Sequence, residues 1–174
     1  AGERALGTAE VPRLLLVALF GAALAPAALA WGLQRSGALA GSLLLNLEAL
    51  FTVVLAAVIY REPIGRRVLL ACASMIAGGG VLALRLGGGT AASLWGIAAL
   101  VLATVSWAAD NTLTRPLADF EPRITVFWKA IVGSALSACV SLFARDSWPD
   151  FIAALGLLAC GASGYGLSLR LYLR

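Results

Sequence analysis

Hydrophobic residues in this chain come in long, nearly unbroken runs set apart by short polar breaks, not in one-sided stripes. Residues 14–33, 38–60, 64–86, 93–114, 124–144 and 151–172 form six such runs. Each is about 20 residues long, which a helix needs to cross a hydrocarbon core of about 30 Å. The pattern predicts an all-α, polytopic membrane bundle of six transmembrane helices. The breaks carry their own signals. Gln34, Arg35, Ser36 and Gly37 read as a short turn. Pro63 disfavours helix at Glu62 and suits the first turn of the next helix, so the second run ends at Arg61-Glu62-Pro63. Pro26, inside the first run, is expected to kink it. Trp148, in the polar loop between the fifth and sixth runs, reads as an interfacial anchor.

Composition supports a membrane protein. Of 174 residues, 61% are hydrophobic and 13% charged, where a soluble domain carries about 25% charge. The lipid bilayer is thus the first expected partner. The net charge of +4 is better explained by basic residues gathered on one membrane face than by nucleic acid, which is not expected as a partner. With six spans both ends share a side. Arg4, Arg13, Arg61, Arg66, Arg67, Arg115, Arg123, Arg170 and Arg174 fall on it, against Arg35, Arg85 and Arg145 opposite. Both termini are therefore expected to be cytoplasmic, in a multi-pass protein of the plasma or inner membrane.

The chemistry concentrates between Ser106 and Lys129. Asp110 lies four residues before Thr114, where one run ends, and Lys129 five residues after Ile124, where the next begins. At a helical rise of about 1.5 Å per residue, both sit roughly 6–8 Å below the same surface and can meet. A charge inside a membrane usually faces the protein interior, pairs, and marks a pathway. Asp110 and Lys129 read either as a structural ion pair or as gating and substrate-binding charges. Asn111 adds donors and an acceptor beside them. Trp107, one turn before Asp110, reads either as a stacking surface for an organic substrate or as a packing residue. Glu48 lies mid-run, about ten residues from either end, too deep to snorkel. It reads as a proton carrier or polar contact for substrate, or else as a Glu hydrogen-bonded to its own helix, for example at Thr52. Asn46, about 200° round the helix from Glu48, reads as interhelical glue. Glu62 is expected to pair with Arg66 one turn on, and Arg170 to snorkel.

Small residues recur every four positions at Gly133, Ser137 and Ser141, in line with Lys129, and at Gly156, Cys160, Gly164 and Ser168. Both lines suit close helix packing, as does Gly78-Gly79-Gly80. Cys72, Cys139 and Cys160 have no metal-ligand spacing and read as packing residues. No metal or other cofactor is expected. The chain has no His, no Cys/His constellation and no Gly-x-Ser-x-Gly turn, so an enzyme is not expected.

Leu47-Glu48-Ala49-Leu50-Phe51, Arg61-Glu62-Pro63 and the Gly78–Gly80 run resemble the closing helices of an EamA-type repeat of the drug/metabolite transporter superfamily. Beyond Gly87-Gly88-Gly89, the stretch around Trp107, Asp110, Asn111, Thr114 and Arg115 resembles the opening of a second repeat. It is similar to a subgroup reading W-A-x-D-N-x-L-T-R, which also has counterparts of Lys129 and of Gly164-Tyr165-Gly166. Ala49 stands where many relatives have Pro, and Thr112 where the subgroup often has Asn. The resemblance implies two inverted five-helix repeats exporting or exchanging small metabolites. It further implies a fragment holding helices three to eight of ten. The divisions become 1–86, three helices of a first repeat; 87–92, a glycine-rich linker; and 93–174, three helices of a second. Read this way, the protein is a secondary transporter of small metabolites or drugs, possible as a homodimer and with proton coupling through Glu48. The alternative is a non-transporting membrane protein or an inactive fragment.

Overall fold

The computed structural model describes residues 10–86, 93–117, 122–144, 150–161 and 163. They form helices and no strand, as lipid requires of a spanning chain outside a closed barrel, because every backbone N–H must find its acceptor within its own segment. In chain order these are α1 (Val11–Ala18), a π-helical segment (Leu19–Leu24), α2 (Ala25–Leu45), α3 (Leu47–Tyr60), α4 (Arg66–Leu86) and α5 (Leu94–Thr114). A 3-10 turn (Arg115–Leu117), α6 (Pro122–Ala144) and α7 (Phe151–Gly161) follow. The chain divides into two compact units, Ala1–Cys139 and Val140–Arg174. The glycine linker, 87–92, and the end of the sixth run, 164–172, lie outside the described residues.

The first two runs are continuous in α2 but break at Gly37, whose φ of 77° and ψ of 164° lie outside any helix. That backbone suits glycine, and it divides the first span from the second at the expected turn. The turn docks on the start of α5: Ser36 Oγ donates to Ser93 O at 3.4 Å, and Ser93 N to Arg35 O at 3.4 Å.

Pro26 disturbs the first span on its N-terminal side. Its helix widens before the proline, and Ala25 N–H reaches back five residues to Phe20 O instead of four. A proline breaks one helical hydrogen bond, and a π turn spreads that loss over the residues before it. A left-handed Arg61, at φ 54°, ends α3, and residues 62–65 are not helical. The third span thus begins at Arg66, past Pro63, not in the proline's own turn.

The core is organised around α5. Its residues Leu100, Ala103, Thr104, Ser106, Ala108, Asp110 and Thr112 are buried. The first span packs antiparallel to it: Leu14 and Val17 meet Leu117, Gly21 meets Asp110, and Gly32 meets Leu100 and Gly96. The second span runs parallel to it, with Thr104 Oγ1 donating to Leu44 O at 3.4 Å and Tyr60 reaching Thr112. Those opposite senses fit one crossing apiece for the spans between. Lipid gives no hydrophobic drive between helices, so close approach at Gly21 and Gly32, together with interhelical hydrogen bonds, supplies the packing. By contrast residues 66–81 of α4 are largely exposed, and among the described residues nothing comes close to Gly78, Gly79 or Gly80.

Candidate functional site

The last two turns of α5 send polar side chains to three other spans. Lys129, in α6, donates to both carboxylate oxygens of Asp110, at 2.8 Å and 2.7 Å. Asp110 is 6% exposed, and the pair is shielded on both sides. Thr114 Oγ1, one turn on, also donates to Asp110 Oδ1 at 3.3 Å. On the remaining side lies Gly21 of the first span, where a Cβ would overlap the Asp110 carboxylate. Gly133, one turn beyond Lys129, sits as closely on Ala22. The small-residue line through Lys129 is therefore a contact at Gly133, while Ser137 is exposed.

Asn111 points elsewhere, because it is turned about 100° from Asp110 on the helix. Its amide donates to Glu48 Oε1 at 2.8 Å, joining α5 to the second span. Glu48 is half-buried and Asn111 exposed. Thr52 does not hold the carboxyl; its hydroxyl donates to the Glu48 backbone oxygen at 2.8 Å. Trp107 Nε1 donates to Gly21 O at 3.2 Å. The five candidate residues thus fall into three contacts on one stretch of α5, each reaching a different span.

Two expectations fail. Asn46 does not bridge helices; it is exposed at the one-residue break between α2 and α3 and donates to Ser42 O of its own helix at 2.9 Å. Glu62 pairs not with Arg66 but with Arg115, because the non-helical residues 62–65 remove the one-turn spacing. Both partners are about half exposed, so the bridge contributes at most about 1 kcal/mol. Arg115 also lies 5.4 Å from the Tyr60 ring centre, and the Tyr60 hydroxyl donates to Thr112 O at 2.8 Å. Gly21 and Tyr60 escaped the sequence reading, which named Thr114 but not its bond to Asp110. For Gly21 the nearby signal was Pro26. No group of His, Cys, Asp and Glu among the described residues is placed to hold a metal ion.

Residues 2–84 match the model of the EamA-like transporter family. That part, just under half of the chain, is similar to EamA-type proteins. No match was found among curated proteins or among solved structures. EamA-type proteins are membrane transporters of the drug/metabolite transporter superfamily, which work in a lipid bilayer on small molecules. The match spans the first three runs, so α5 and its polar contacts lie beyond it.

Proposed function

We propose that this chain belongs to an EamA-type secondary transporter that exports or exchanges small metabolites or drugs, with Glu48 as its proton carrier. Glu48, Trp107, Asp110, Asn111 and Lys129 form its pathway. The observation that carries this reading is the convergence on one stretch of α5. Within Trp107–Asn111 a tryptophan, a carboxylate and an amide each engage a different span, and the contacts bring in a second carboxyl and an ammonium. Lipid satisfies no such group, so the Glu48–Asn111 contact needs water or protein beside it, as a pathway provides. The likeness of the second half to a second repeat supports inverted repeats divided at residues 87–92. The plasma or inner membrane and cytoplasmic termini belong to the same reading, on the bias of basic residues.

Glu48→Gln tests the coupling. The amide oxygen still accepts from Asn111, while the titrating proton is gone. Flux in liposomes should lose its pH dependence in Glu48→Gln and keep it in Glu62→Gln, since Glu62 lies in a half-exposed surface bridge. Unchanged pH dependence in Glu48→Gln would remove the proton role.

Orientation is tested with Arg66→Cys, Asp119→Cys and Ser147→Cys, each in a background without Cys72, Cys139 and Cys160. An impermeant thiol reagent applied to intact cells should label Ser147→Cys and spare the other two. Labelling of Asp119→Cys from outside reverses the orientation.

A further inference from the structure

Two carbonyl oxygens at the inner edge of this site lose their helical donors to proline, and an aromatic side chain from another span caps each. In the widened first span, bonds run five residues back, as Ala25 N–H to Phe20 O shows. The next bond in that register would run from residue 26 to Gly21 O. Residue 26 is proline and has no N–H. Gly21 is buried, and its freed oxygen accepts from Trp107 Nε1 at 3.2 Å. On α5 the ordinary donor to Thr112 O would be residue 116, four further on, which is again proline. That oxygen accepts from the Tyr60 hydroxyl at 2.8 Å. A buried carbonyl without a partner is costly, more so where no water can enter, so each cap binds its helix to the other at one fixed register.

We propose that Trp107 is a positioning residue, holding the Gly21–Ala22 bulge of the first span against Asp110 by capping the oxygen that Pro26 frees, with Tyr60 and Pro116 making the equivalent joint to the second span. The bulge is the wall on which the Asp110 carboxylate rests, since a Cβ at Gly21 would overlap it. The same bulge carries Ala22 against Gly133, one turn past Lys129. Trp107 therefore sets the distance between the two charges without touching either ion-pair contact. Its indole N–H acts here, so removing the N–H while keeping an aromatic ring separates this role from stacking on a substrate. The inference deepens the transport reading and takes from it only the identity of the site.

The test uses paired substitutions, because proline and aromatic partner should suppress each other. Trp107→Phe keeps the ring and strands the Gly21 oxygen. Pro26→Ala restores a backbone N–H that can serve that oxygen or let the helix rewind. In reversible unfolding of the purified chain in detergent, Trp107→Phe should lower the folding equilibrium roughly three- to tenfold, the range expected for a lost interhelical hydrogen bond. In the Pro26→Ala background the same change should cost little. Tyr60→Phe should behave alike with Pro116→Ala. The crossed combinations, Trp107→Phe with Pro116→Ala and Tyr60→Phe with Pro26→Ala, should show no rescue. Flux gives the positioning readout: Trp107→Phe should shift the pH profile in the same direction as Asp110→Asn, and Pro26→Ala should reverse the shift. Equal cost of Trp107→Phe in both backgrounds, or rescue by the wrong proline, would overturn the proposal. Absence of flux from the unsubstituted protein would sink the transport reading alone, because the unfolding cycle is read without transport.

Discussion

Asp110→Asn and Lys129→Met, made singly, should each destabilise the folded chain by roughly 3–5 kcal/mol, and the double change should recover most of that loss. Each single change leaves a shielded charge at membrane depth with its partner gone. The double change removes both charges and leaves a neutral contact of similar shape. Coulomb attraction and desolvation nearly cancel for a shielded pair, so its presence adds little net stability, while its rupture is expensive. Lys129 donates to both Asp110 oxygens, and Thr114 adds a third donor, so Asp110→Asn also disturbs a hydrogen-bonded arrangement beyond the charge. Unfolding of the four proteins in detergent measures the coupling. Additive losses would show that the two side chains do not support each other. Flux from the same four proteins separates roles: a purely structural pair regains flux with stability, whereas charges that handle substrate leave the double mutant folded and inactive.

Gly21→Ala should be nearly as damaging, although it changes one hydrogen for a methyl group on a residue that carries no charge. The added Cβ would overlap the Asp110 carboxylate, and that carboxylate is held by Lys129 on its other side. Overpacking alone costs about 1–3 kcal/mol. Displacing the carboxylate from its ammonium adds part of the loss from a broken pair, for a total of roughly 3–5 kcal/mol. With Asp110→Ala and Lys129→Met already in place, the methyl enters vacated space and Gly21→Ala should be close to neutral. A full loss in that background would place the strain in the first-span backbone and not at the ion pair. Gly133→Ala, which meets Ala22 and no charged group, should be milder and insensitive to the charges.

Spans are legible in a lipid-facing chain because the solvent imposes length. The Asp110–Lys129 contact was legible for a related reason. Both residues are measured from one hairpin turn, so an error in the boundary moves both alike. No such shared origin exists for Asn111 and Glu48, which lie on spans separated by a third. Their meeting depends on which helix α5 chooses as neighbour, and several apolar helices offer similar faces. Glu62 and Arg66 failed at a boundary: the one-turn rule holds only inside a helix, and the left-handed Arg61 delays the next helix to Arg66. Pro26 announced a disturbance, but the widened register moved its effect from Ala22, four residues back, to Gly21.

The sequence distances within these contacts also set a schedule for synthesis. Gly21 and Trp107 are 86 residues apart, and Glu48 and Asn111 are 63 apart. At about 5–20 residues per second, the ribosome takes roughly 3–12 s to deliver Asn111 after Glu48, and somewhat longer to deliver Trp107 after Gly21. During that interval the nascent first two spans carry a carboxyl and a bare carbonyl with no partner yet made. A stalled chain ending before α5 should therefore remain beside the insertion machinery and be open to membrane proteases, and release into lipid should follow the emergence of α5.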